Sequence, residues 1–264
     1  MEDCPLWWPD GSPKEIDGAV LGIVDSTQEL MEVPLLSGLH AVVVLQRPGE
    51  EVAGTARFVW NAGYAMCGFL AHWFGDEDKL HADSPAELNV LELGSGTGLC
   101  AAAFAVCCRT CCMAATDLPV ALPILEDTIA RNGVGHRMSA RVLDWLDKAT
   151  WPNFTTLDLI FGADIAYRDD LNVALFSLLL EACSAGTVAL LAHEHRGRKG
   201  DFENDLHNTF ASAGVQFHAM AVEEMPWQPC SDYSFEQVTI YILAEKSVVL
   251  NAHTLPQALA KLVT

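Results

Sequence analysis

At 264 residues, 51% of them apolar, the chain is too hydrophobic to be disordered and long enough for one α/β domain with a sizeable core and an N-terminal extension. Its formal net charge of −20 repels phosphate backbones and sets nucleic acid aside as a partner. No unbroken apolar run reaches the ~18 residues of a membrane span. The acidic start Met1-Glu2-Asp3-Cys4 lacks the basic-then-apolar pattern of a signal peptide, so a cytoplasmic or nuclear protein is expected.

The first fifty residues carry no nameable chemistry. Trp7-Trp8-Pro9 and Gly11-Ser12-Pro13 read as irregular, His40 to Leu45 as a strand, and Arg47-Pro48-Gly49-Glu50 as its turn. The stretch Gly54 to Gly63 then opens a helix-like run from Tyr64 to Trp73, and Trp60 within it reads by itself as a core anchor.

The organising stretch is Val90-Leu91-Glu92-Leu93-Gly94-Ser95-Gly96-Thr97-Gly98-Leu99, a strand-like run leading into three glycines at alternate positions. The alanine- and cysteine-rich segment Leu99 to Cys108 follows as a buried helix. Strand, glycine turn and helix form the first unit of a nucleotide-binding sheet, with helix N–H groups open to a polar ligand. The spacing is G-x-G-x-G, with Leu99 where a dinucleotide fingerprint has its third glycine. That departure counts against a nicotinamide-dependent oxidoreductase.

Cys111 to Thr116 is a second strand ending at Asp117, 23 positions after Gly94, where an acidic side chain accepts from ribose hydroxyls or caps the next helix. Leu122, Leu125 and Ile129 mark one face of that helix, with Pro119 and Pro123 in or before its first turn and Asn132-Gly133 as its stop. The four cysteines Cys107, Cys108, Cys111 and Cys112 lie between the first helix and this strand. Without a second ligand pair they read as small buried thiols, not a zinc site.

Ala140 to Leu143 is a third strand running into Asp144-Trp145, and Leu157 to Phe161 a fourth, followed by Gly162-Ala163-Asp164-Ile165-Ala166-Tyr167. Asp117, Asp144 and Asp164 thus all stand at the carboxyl ends of strands, where open α/β sheets bind ligands. Leu171 to Cys183 is a helix and Val188 to Ala192 a fifth strand. His193 and His195 after it lack a third metal ligand and read as solvated loop histidines. Phe202, Leu206 and Phe210 mark a further helix. Val215 to Val222 and Val238 to Ala244 are the last strands, joined by the loop Met225 to Ser234, and the tail begins at Lys246. Two strands with no helix between them form a hairpin, which puts one antiparallel strand into the sheet.

These motifs, in this order, resemble the methyltransferase-like group of class I, seven-β-strand protein lysine methyltransferases, over roughly Gly54 to Glu245. The matching stretches are Gly54-Thr55…Val59-Trp60, the glycine motif from Glu92, Thr116-Asp117-Leu118-Pro119, Leu143-Asp144-Trp145 and the diagnostic Gly162-Ala163-Asp164…Tyr167. The resemblance implies an α/β, Rossmann-like, doubly wound fold. Its mostly parallel seven-stranded sheet would carry one antiparallel strand in a C-terminal hairpin. Residues 1–53 would be an N-terminal β extension, 54–245 the methyltransferase domain and 246–264 a tail.

It further implies S-adenosylmethionine as cofactor, bound by Trp60, Glu92, Gly94, Ser95, Gly96, Asp117, Leu118, Asp144, Trp145 and Ala163. Asp164 and Tyr167 would face the incoming amine, and no metal would be required. Asn61 and Thr128 depart from the family pattern. The expected partner is a basic or locally basic protein, met by a monomer, with neither nucleic acid nor membrane involved. The residues themselves leave open arginine, histidine or a small molecule as acceptor, and a catalytically silent cofactor-binding scaffold.

Overall fold

The structure is a computed structural model, described over residues 29–35, 41–47, 51–74, 88–196, 201–221 and 237–245. In chain order the elements are β1 (Leu30–Pro34), β2 (Ala41–Leu45), α1 (Asn61–Phe74), β3 (Leu88–Leu93), α2 (Leu99–Cys107), β4 (Cys111–Asp117) and α3 (Leu122–Asn132). They continue with β5 (Met138–Val142), β6 (Leu159–Ala163), α4 (Asp169–Ser184), β7 (Val188–Glu194), α5 (Asp201–Phe210), β8 (Val215–Ala221) and β9 (Val238–Glu245). The expected loop at Met225–Ser234, the tail from Lys246 and the irregular start lie outside the described residues.

The central strands are apolar at successive positions because both faces of their sheet are covered. Leu159, Phe161, Leu190, Ile240 and Ile242 point into a core shared with α1 and α2. The alternate residues Ile160, Ala189, Leu191, Tyr241 and Leu243 point into a second core with α4 and α5. The sheet has seven strands in the order β5-β4-β3-β6-β7-β9-β8. Strands β3 to β7 pair in parallel, while β9 is antiparallel to both of its neighbours. The C-terminal hairpin is therefore present, with its second strand lying inside its first.

From β3 the chain steps outward to β4 and β5, then returns to place β6 and β7 on the other side. That reversal opens a crevice beyond the carboxyl ends of β3, β4 and β6. Local signals account for the elements around it. Gly133 closes α3 in the left-handed region at φ 63°, and Pro119 and Pro123 sit in first turns as expected. The first long helix begins at Asn61, three residues before its apolar run suggested, and the fourth strand begins at Leu159 because Asp158 instead binds the backbone N–H of Asn89 at 2.8 Å.

The strand pair β1–β2 stands outside the main sheet but is tied to it. Asn132 donates through Nδ2 to the Val43 carbonyl at 2.7 Å and accepts the Val43 N–H through Oδ1 at 2.8 Å. Of the four clustered cysteines, Cys108 and Cys111 are buried thiols as expected, Cys107 is half-buried and Cys112 is exposed, on the face of β4 opposite the buried Cys111 and Met113. No helix among the described residues is long and apolar enough to cross a membrane.

Candidate active site

A cavity of about 420 Å3 fills the crevice, within the usual range for small-molecule sites, and every site residue named from the sequence lines it. The glycine turn forms its floor. Gly94 and Gly96 have φ of 59° and 51°, and a Cβ on Gly94 would lie 2.6 Å from Cγ2 of Ile165 and 3.5 Å from the Trp145 ring. Bare backbone is thus presented to the cavity.

Asp117 is fixed by the turn it faces. Its Oδ2 accepts the Gly96 N–H at 2.8 Å and its Oδ1 the Leu118 N–H at 2.7 Å. Burial pushes its carboxyl above the usual range while these two bonds pull it back. The alternative role as a helix cap is not what the side chain does, since the turn beginning at Pro119 has no side-chain cap. Glu92 is buried behind the turn, where its Oε2 accepts the Ala101 N–H at 3.1 Å. Desolvation pushes its carboxyl up to about 8.

The segment after β5 supplies one wall. Asp144 Oδ1 accepts the Leu146 N–H at 2.9 Å, and the Asp144 backbone exchanges two 3.0 Å bonds with the Thr150 hydroxyl. This turn sets Trp145 against the cavity, opposite the half-exposed Leu118.

At the far end, β6 delivers Ala163 and then Asp164, which is 6% exposed and has φ 57°, a left-handed conformation that aspartate tolerates better than most residues. Tyr167 follows, its hydroxyl 3.1 Å from Oγ1 of Thr55, so the segment before α1 and the segment after β6 meet over the cavity. Trp60 completes that wall, with Nε1 donating to the Thr55 carbonyl at 3.1 Å.

Arg196, just past β7, also lines the cavity and was not singled out from the sequence. It pairs with Asp164 and, at 2.8 Å, with Glu194, which in turn accepts from Nδ2 of Asn61 at 3.1 Å. The signal available was its place after a parallel strand, in the run His193-Glu194-His195-Arg196. The two histidines of that run are not solvated loop residues. His193 stacks on Phe202 at 4.1 Å, and burial pushes it down to about 3. His195 is 6% exposed, with Nε2 3.1 Å from both the Thr239 and Tyr241 hydroxyls. Strand β7 runs two residues beyond its apolar core and carries them under α5. Thr128, the other departure, is buried and donates to the Thr97 carbonyl at 2.7 Å, bracing the glycine turn.

The sequence model of the lysine methyltransferase family matches residues 42–210, which include both the glycine turn and the Asp164 segment. The chain belongs to the lysine methyltransferase family. Among curated proteins, it is 30% identical over 169 residues to protein N-lysine methyltransferase METTL21A of Xenopus tropicalis, covering 62% of this chain and 73% of that one. It is 29% identical to EEF1A lysine methyltransferase 3 of Mus musculus, covering 61% of this chain and 65% of the other. To protein-lysine N-methyltransferase EFM6 of Saccharomyces cerevisiae it is 27% identical over 192 residues, covering 65% and 76%. Among solved structures, mitomycin 7-O-methyltransferase MmcR superposes with a TM-score of 0.52 at 14% identity over 72% of this chain and 56% of that one, a likeness of fold.

As a lysine methyltransferase of class I the protein uses S-adenosylmethionine, and the cavity fits that cofactor. It joins a floor that a Cβ on Gly94 would obstruct, an aspartate clamped beside it, apolar walls at Trp145 and Leu118, and a buried carboxylate at the other end. The Asp164 oxygen Oδ1 is buried without a hydrogen-bond partner of acceptable geometry, although the Glu194 backbone N–H also favours the charged form.

Proposed function

We propose that the protein transfers a methyl group to the ε-amine of a lysine in a basic or locally basic protein, acting as a monomer in the cytoplasm or nucleus. The observation that carries this reading is the buried acidic side chain of Asp164, paired with Arg196, in the cavity that Asp117 and the glycine turn also line. The relatives are named as protein-lysine methyltransferases, which supports a protein acceptor. The net charge of −20 favours a basic partner and steers its approach.

When bound, S-adenosylmethionine supplies an electrophilic methyl group, and the chain's task is alignment. Gly94 and Gly96 let a ligand approach the backbone, Asp117 accepts from ribose hydroxyls, and Trp145 and Leu118 flank a flat ring. Asp164 accepts a hydrogen bond from the acceptor nitrogen, orienting its lone pair along the line of transfer. A lysine with an ordinary pKa of ~10.4 must first give up a proton, because its ammonium has no lone pair. Tyr167, Thr55 and Trp60 close the acceptor end and exclude water, which favours the neutral amine.

The test is transfer of label from methyl-labelled S-adenosylmethionine to proteins of a cell lysate, followed by hydrolysis and identification of the labelled amino acid. Methylated lysine is expected. Label on arginine, histidine or small molecules alone overturns the lysine assignment, and no transfer at all returns the chain to a silent scaffold.

A further inference from the structure

Arg196 sits between two carboxylates, Asp164 and Glu194, with its guanidinium carbon 5.2 Å from the centroid of the Trp60 ring. Glu194 is itself held from α1 by Asn61. The arginine is therefore held on three sides: by Asp164 just past β6, by Glu194 at the end of β7, and by Trp60 just before α1, with Asn61 of α1 holding Glu194 in turn. Oδ2 of Asp164 is bonded to Arg196, and the backbone N–H of Glu194 also favours the charged form of the same carboxyl. The side chain of Asp164 is 2% exposed and that of Arg196 30%.

We propose that Arg196 is a positioning residue for methyl transfer: by bonding Oδ2 it fixes the plane of Asp164 and holds it as a carboxylate at the acceptor end of the cavity. The inference rests on the reading of Asp164 as the group that faces the amine.

Two physical requirements are met by this arrangement. A carboxylate with both oxygens free can rotate and present either, whereas one tied to a guanidinium that lies over the Trp60 ring has its plane set. Burial also favours the neutral acid at Asp164, and the adjacent positive charge opposes that. A neutral carboxyl would be harmful here. It would donate its proton to the amine's lone pair and leave an ammonium that cannot accept a methyl group.

The charged and titratable surroundings are accounted for. From β7, Glu194 faces Arg196 and His193 stands behind it in its neutral form. From the start of α1 comes the uncharged Asn61, and from the residue before it Trp60. At the rim, Arg168 is paired with Asp170, and Tyr167 meets Thr55. Glu203 and His195 share the Tyr241 hydroxyl on the side of β7 turned towards α5.

The experiment is a carboxyl titration by infrared difference spectroscopy on the full chain without substrate. Spectra taken against Asp164→Asn, made in each background, assign the Asp164 band. Its midpoint is then followed in the wild type, Arg196→Gln and Arg196→Lys. The expected result is an upward shift of about 1–3 pH units in Arg196→Gln and a smaller one in Arg196→Lys. An unchanged midpoint in Arg196→Gln overturns the proposal.

Should the glutamine variant fail to fold, the guanidinium nitrogen resonances of wild-type Arg196 decide instead. They must titrate with the Asp164 midpoint, and the absence of a shared midpoint overturns the inference. A second arm follows label transfer to lysate proteins against pH. The low-pH limb of Arg196→Gln should move upward by the same interval, whereas an equal loss at every pH means a structural role only. If the wild type transfers no label, the functional reading fails while the carboxyl titration still decides Arg196.

Discussion

Asp117, the last residue of β4, reaches across the glycine turn of the neighbouring strand and accepts the backbone N–H of Gly96 at 2.8 Å. One carboxylate thereby shapes the turn and presents its remaining lone pairs to the cavity. Asp117→Ala should lower affinity for S-adenosylhomocysteine by about 2 kcal/mol, roughly thirtyfold, because ribose hydroxyls lose their acceptor and the Gly96 N–H its partner. Calorimetry reads this directly, and affinity within threefold of the wild type would remove Asp117 from the ribose role.

Asp164 follows β6, on the opposite side of β3 from Asp117, and in the proposed mechanism takes no part in holding the ribose. Asp164→Asn keeps the size but not the charge, and should reduce label transfer by roughly 10²-fold or more while S-adenosylhomocysteine affinity stays near wild type. A well-folded variant with near-normal turnover would rule out the alignment role.

Glu92 gives the free protein a pH dependence of definite sign. Its folded carboxyl is raised to about 8 from an ordinary 4.5 by burial, so its stabilising contribution is complete below 4.5 and is lost as pH rises through 8. Asp117 and Asp164 are shifted in the same direction and add to the trend. Urea denaturation should show stability falling between these limits, by up to about 1.4 kcal/mol per pH unit from Glu92. Glu92→Gln should flatten the curve, and an unchanged slope would contradict the assignment.

Asn132 joins β2 to the end of α3 through two bonds to Val43. Asn132→Ala should cost about 1–3 kcal/mol of stability by stranding both Val43 groups, with cofactor affinity unchanged. Melting curves and calorimetry on one preparation separate the two effects.

The charge of −20 makes a prediction about rate. Label transfer to the preferred lysate protein at limiting concentration should slow several-fold from low to high salt, as steering of a basic partner is screened. A salt-independent rate would count against a basic partner.

The parts of the site that were legible in the sequence are those where an apolar strand runs into a polar residue. Asp117, Asp144 and Asp164 could be placed at one end of a sheet because strand direction and strand end are both local signals. Arg196 was not legible in the same way. The run His193-Glu194-His195-Arg196 is polar throughout, and nothing in it shows that the histidines go under α5 while the arginine turns to Asp164. Strand β1 escaped because its alternation ends at a proline, and its buried members Met31 and Val33 are few. The position of β9 is a matter of sheet order, and a hairpin reads the same whichever of its strands lies inside. Asn132 was legible as a helix stop but not as a clamp, since its partner at Val43 is 89 positions away.

The placement of β9 has a consequence for how the protein is made. Ribosomal synthesis delivers β8 before β9, yet among the described residues β8 meets the sheet only through β9. Until Val238–Glu245 has emerged, β8 has no ladder to join, and the apolar run Val188–Ala192 of β7 is an open edge. A nascent chain at that stage is exposed to edge-to-edge association with other copies. The same strand braces the end of β7, because the segment entering β9 accepts the His195 N–H at the Gln237 carbonyl, one residue before Arg196. Assembly of the sheet at β9 and support of the segment that carries Arg196 to Asp164 are therefore coupled through one backbone bond.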